Sequence, residues 1–176
     1  MTHVRARLFA LIDATPNLDW LLLTKRPENI PAMWPAYFPG GYIAEAGSMN
    51  QEGPRSNVWL GTSIASQADA DRNIPLLLKC RDLAPVLFVS AEPLLGPVDF
   101  RQRCFAKNCD GECGWPSKFD LLGDNFSRSG ACIDWVICGG ESGPNARPMH
   151  PDWARSLRDQ CQAAGVPFFF KQWGEW

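Results

Sequence analysis

Five short apolar runs constrain this chain more than anything else in it. They are Asp19-Trp-Leu-Leu-Leu-Thr24, Asn57-Val-Trp-Leu-Gly-Thr62, Pro85-Val-Leu-Phe-Val-Ser90, Asp134-Trp-Val-Ile-Cys138 and Pro167-Phe-Phe-Phe-Lys171. A polar residue or proline begins each run, and none alternates apolar with polar. That pattern predicts strands buried on both faces, as in a parallel sheet covered by helices.

Helical periodicity falls between the runs. Val4, Leu8, Leu11 and Ile12 are spaced for one helix face, which Pro16 and Asn17 end. Ser66 followed by Asp69 has the form of a capping pair, and predicts a helix to about Cys80 with Pro75 as a kink. A weaker helix starts at Pro27. Pro151 suits the first position of a helix carrying Trp153, Leu157, Cys161 and Ala164 on one face, with Gly165 as its stop. His150, just before it, reads as a capping neighbour rather than a catalytic base. Strands alternating with helices predict an α/β fold with parallel strands, and both an open doubly wound sheet and a barrel satisfy the pattern. Two segments interrupt it: residues 37–56, read as a loop, and residues 101–131, a polar, Cys-bearing insertion within one incomplete domain spanning 1–176.

Each strand runs into polar or glycine residues at its carboxyl end: Thr24-Lys-Arg-Pro27, Gly61-Thr-Ser63, Ser90-Ala-Glu-Pro93, Gly139-Gly-Glu-Ser-Gly143 and Lys171-Gln-Trp-Gly174. Ligand sites of parallel α/β folds lie at that end. Lysine, arginine and glutamate converging there suit an anionic or zwitterionic small ligand, the cations meeting a carboxylate or phosphate and a glutamate meeting an amine. Gly139 and Gly140 would let such a ligand come close to the backbone. With 17 basic and 19 acidic residues the formal charge is −2, which gives no electrostatic case for nucleic acid or a membrane surface. No secretory signal and no membrane-length apolar run is present, so a cytoplasmic location is expected. There is no Gly-x-Ser-x-Gly elbow and no phosphate-cradling Gly-x-x-x-x-Gly-Lys loop.

The motifs LTKRP, NVWLGTS, SAEPLLGPVD, DWVICGGESGPNARPMHP and GVPFFFKQWGEW, in that order, resemble a family of uncharacterised phage-type proteins widespread in bacteria and prophages. Complete members look like distant radical S-adenosylmethionine proteins, which implies a partial TIM-like (β/α) barrel here. In such enzymes an N-terminal cysteine cluster holds an iron–sulfur cluster whose open iron site binds the methionine moiety of S-adenosylmethionine. The chain starts at the helix before LTKRP, so the resemblance implies a truncated member lacking the first strands and that cluster, with enzymatic activity undetermined. An unclosed barrel would leave an open sheet edge, a route to self-association. The resemblance carries Lys25, Arg26, Ser63, Glu92, Gly139, Gly140, Glu141, Arg147 and Lys171 onto a cofactor or substrate rim.

Seven cysteines without an export signal are expected as thiols or metal ligands rather than a disulfide framework. Cys104-x4-Cys109-x3-Cys113, with Cys132 as a fourth ligand, could hold a structural zinc that staples the polar insertion. The alternative to an enzyme fragment is a non-catalytic binding module, zinc-stapled and acting with a phage or host partner. Cys80, Cys138 and Cys161 fall on helices or a strand and are expected in the core.

Overall fold

The computed structural model describes residues 2–37, 43–44, 55–102, 119–120 and 132–175. Among these residues four helices, α1 (Thr2–Ala14), α2 (Ile30–Met33), α3 (Gln67–Leu78) and α4 (Pro151–Ala163), alternate with strands. Strands β1 (Trp20–Thr24), β4 (Val58–Ile64), β5 (Val86–Ala91), β8 (Trp135–Gly139) and β9 (Phe168–Gln172) form one five-stranded sheet in that spatial order. Every neighbouring pair is parallel. The remaining strands are two-residue pieces: β2 (Ala36–Tyr37) pairs antiparallel with β3 (Ile43–Ala44), and β6 (Arg101–Gln102) with β7 (Phe119–Asp120). The expected loop at 37–56 therefore contains one half of a small ribbon.

All five predicted strands are present, each starting one residue later than its apolar run. Two-face burial holds at the centre, in β4 and β5, but not at the edges. β1 and β9 alternate between half-buried and exposed residues, because among the described residues each has a neighbour on one side only and helices on one face only. An apolar run thus marked membership of the sheet correctly and overstated burial at its two ends.

The helix-facing side carries the core. Val58, Leu60, Ile64, Leu87, Val89, Val136 and Cys138 are buried there against Ile74, Leu77, Leu157 and Cys161. The capping expectations hold: the Ser66 side chain accepts from the Asp69 backbone N–H, and His150 Nδ1 accepts from the Asp152 N–H at 3.2 Å with Pro151 in the first turn. Gly165 sits at φ +69°, a left-handed conformation that suits glycine just past a helix end. Pro75 lies inside α3, and the weak helix at Pro27 is a 3-10 turn (Pro27–Asn29) leading into α2.

The expected face of α1 is corrected. Val4 and Leu11 are 75% and 50% exposed, while Phe9 and Ile12 are buried. The buried stripe is Leu8, Phe9 and Ile12, turned toward the sheet. Arg55, a buried guanidinium, fixes this orientation: it stacks 4.8 Å from the Phe9 ring centroid and donates to Asp13 Oδ1 at 2.9 Å.

Candidate functional site

Strand alternation and register set which side chains share the face opposite the helices. Leu21 lies beside Trp59, Gly61 beside Phe88, Phe88 beside Trp135, Ser63 beside Ser90, and Ile137 beside Phe169. The floor of this open face is aromatic. Trp59 and Trp135 meet edge to face at 5.8 Å between ring centroids, and Phe88 lies 5.8 Å from Trp135. Gly61 makes room for Phe88: a Cβ there would stand 2.3 Å from the Phe88 ring.

Toward the carboxyl ends of the strands this face turns polar. Lys171 Nζ donates to Glu92 Oε1 at 2.7 Å, joining β9 to the end of β5 across β8. The bridge passes over Gly139, where a Cβ would come within 3.2 Å of the Glu92 carboxyl group. Glycine at that position therefore lets the two charges meet. The Lys171 side chain is 49% exposed and that of Glu92 21%, so the pair is open to solvent on one side. Behind it the peptide Glu92–Pro93 is cis, and Leu94 N–H donates to the Gly139 carbonyl at 3.0 Å.

A second cluster flanks the first. Glu141 accepts from Arg147 three times: from Nε at 2.7 Å, from the backbone N–H at 2.8 Å and from Nη2. These bonds from Arg147, side chain first and backbone second, pull the Glu141 carboxyl down to about 2. Gln172 Nε2 donates to Ser142 Oγ and to the Gly140 carbonyl, and Glu175 accepts from the Gly143 N–H at 3.0 Å. The loop after β8 is thus laced to the end of β9. The space beside Gly140 is taken by this lacing, since a Cβ there would stand 1.8 Å from the Trp173 carbonyl oxygen. The close approach that Gly140 permits is to the chain's own backbone.

Of the expected rim, the structure brings together Glu92, Gly139 and Lys171, with Ser63 on the same face, and separately Glu141, Arg147 and Gly140. Lys25 and Arg26 join neither group. They border an apolar groove of about 890 Å³ between α1, β1 and α2, where Arg26 faces Glu28 at 3.8 Å. Sequence reading placed Ser90 at a polar strand end but missed Trp59, Phe88 and Trp135 on this face; alternation counted back from Glu92 reaches Phe88.

Cys104, Cys109 and Cys113 lie outside the described residues. Cys132 is half-buried and its carbonyl accepts from Arg81 Nη2. Among the described residues no three His, Cys, Asp or Glu side chains cluster to hold a metal ion. Cys80, Cys138 and Cys161 are buried as expected, and burial pushes the Cys80 thiol up to about 11. Burial, with the nearby Glu92 charge, pushes Cys138 up to about 12. Among the described residues these three thiols are dispersed and form no group that could hold a metal ion or cluster. No helix among the described residues is long and apolar enough to cross a membrane.

Residues 1–176 match the family model described as protein of unknown function (DUF5131). No curated protein and no solved structure matches the chain.

Proposed function

The chain belongs to DUF5131, a family of proteins of unknown function, and we propose that its polar strand ends bind a small zwitterionic ligand such as S-adenosylmethionine. One observation carries this reading: Glu92 and half-exposed Lys171 sit 2.7 Å apart at the carboxyl end of a parallel sheet. The two charges are complementary to an α-amino carboxylate. Its ammonium replaces Lys171 at Glu92, and its carboxylate takes Lys171, so one ion pair becomes two. Half-buried Ser63 offers a hydroxyl on the same face, Ser90 beside it is buried, and the Trp59–Phe88–Trp135 floor below them is apolar. Glu141 and Arg147 are occupied with one another and act as positioning residues that hold the Gly140–Arg147 loop.

In the fuller form of the proposal, the chain is the C-terminal portion of a phage-type, radical S-adenosylmethionine-like barrel. The described cysteines do not fit an iron–sulfur cluster, so no reaction step is assigned to them. Bound S-adenosylmethionine would supply its sulfonium chemistry; this chain's part is to bind and orient the amino-acid end.

Calorimetric titration of the whole chain with S-adenosylmethionine tests the reading. Saturable binding below about 1 mM is expected, weakened at least about tenfold by Glu92→Gln and by Lys171→Met. Methionine should compete and adenosine should not. Absence of binding, or binding that ignores both substitutions, overturns it. A zinc staple at Cys104, Cys109, Cys113 and Cys132, in a non-catalytic module acting with a phage or host partner, is a separate reading; partial exposure of Cys132, unlike the buried Cys80, Cys138 and Cys161, favours it. Less than about half an equivalent of zinc in the purified chain would count against it.

A further inference from the structure

We propose that two copies of this chain join edge to edge through β1, antiparallel about a twofold axis at Leu22, each Asp19 pairing with the partner's Lys25. Among the described residues β1 is an edge of the sheet, with β4 as its single neighbour. Its hydrogen-bonding directions are fixed. Trp20 N–H donates to the Asn57 carbonyl at 2.8 Å, and the Thr24 carbonyl accepts from Thr62 Oγ1 at 3.0 Å. Even-numbered residues of β1 therefore face β4. Successive residues of a strand direct their N–H and C=O to opposite sides, so Leu21 and Leu23 present theirs to the free edge.

An incoming antiparallel copy must then pair odd-numbered residues with odd-numbered ones. Centring on Leu22 sets Leu21 against the partner's Leu23 and Asp19 against the partner's Lys25. Sliding by two residues in either direction puts a charge opposite a leucine: Lys25 against the partner's Leu21, or Asp19 against the partner's Leu23. One register alone matches apolar with apolar and anion with cation, and cross-strand neighbours of opposite charge favour it further.

Exposure supports the same edge. Leu21 and Leu23 are 45% and 51% exposed, and Val4 and Met33, beside the strand on its helix-covered side, are 75% and 49% exposed. Asp19 and Lys25 are exposed, and neither has an ion-pair partner among the described residues. Arg26 faces Glu28 of its own chain, which leaves Lys25 as the cation directed at the partner. The β9 edge offers no such match: centred on Phe170, it sets Lys171 against the partner's Phe169. The outcome is a continuous ten-stranded sheet with one apolar strip shared by both copies.

Sedimentation velocity of the whole chain between about 1 and 500 µM tests the proposal. The mass should rise from 19.6 kDa toward twice that value. Asp19→Lys or Lys25→Asp alone should raise the dimer Kd at least about tenfold, and the double swap Asp19→Lys/Lys25→Asp should return it to within about threefold. Circular dichroism identical to the parent confirms that these exposed sites leave the fold unchanged. A chain that stays at 19.6 kDa throughout, a dimer indifferent to both single substitutions, or one the swap fails to restore overturns the pairing. So does tighter association in Lys25→Asp, which would mark Lys25 as a guard against edge pairing, or dissociation by Phe169→Glu with the β1 variants still dimeric.

Discussion

Two glycines on the open face set what their neighbours can do. At Gly61 the missing side chain is filled by the Phe88 ring. Gly61→Ala forces a Cβ into that ring and should cost about 1–3 kcal/mol in urea unfolding, with Gly61→Ala/Phe88→Leu recovering part of the loss. At Gly139 the missing side chain admits the Glu92–Lys171 bridge. The Glu141–Arg147 pair gives a pH signature. Its folded carboxyl is held at about 2 against an ordinary value of 4.5. The contribution to stability is therefore present above pH 4.5 and is lost as pH falls toward about 2. The amide of Arg147, which donates to Glu141, should lose hydrogen-exchange protection across that window, and Glu141→Gln should show the same loss at pH 6. The charged residues of the site were legible in the sequence because strand ends announce themselves by polarity. Their partners were not. Nothing local to Lys171 says that it meets Glu92 rather than Glu141; that depends on the order of the strands and on the bulge between Cys138 and Gly139.

At the scale of elements, caps and stops were the most legible signals, because Ser66, Pro151 and Gly165 act through their own backbone neighbourhoods. The face of α1 was legible only in part: Leu8 and Ile12 of the expected Val4–Leu8–Leu11–Ile12 stripe pack toward the core, but Phe9 takes the place of Val4 and Leu11, held there by Arg55 from outside the helix. Another long-range contact ends α1: Asn57 Nδ2 donates to the carbonyls of Ile12 and Thr15 at 3.1 and 3.2 Å. Both carbonyls also accept a backbone N–H, from Thr15 and Leu18 respectively, so Asn57 is an added donor at the helix end. Asn57→Ala should cost about 0.5–1.5 kcal/mol in chemical denaturation, since two side-chain hydrogen bonds are lost while each acceptor keeps its backbone donor. The thiols divide by element as well. Iodoacetamide at pH 8 should label Cys132 well before Cys80, Cys138 or Cys161, as peptide mapping by mass spectrometry would show, because the last three are buried.

Across the whole molecule, stability concentrates at the middle of the sheet. Leu87 and Val89 of β5 and Val136 of β8 are fully buried, whereas β1 and β9 expose alternate residues. Amide exchange should be slowest in β4, β5 and β8, and Leu87→Ala should cost about 2–5 kcal/mol. The fold class was legible because five apolar runs separated by helical segments admit few arrangements. How far the sheet curves was not, since parallel pairing alone leaves both an open sheet and a barrel.

The strands stand in space in the order in which they occur in the chain, β1, β4, β5, β8, β9. During synthesis each of these strands after β1 therefore finds its template already made, and none waits for a later segment to be inserted between existing neighbours. The five strands can be laid down from β1 onward, one ribosome-delivered strand at a time, with Lys171 the last of the described rim residues to arrive.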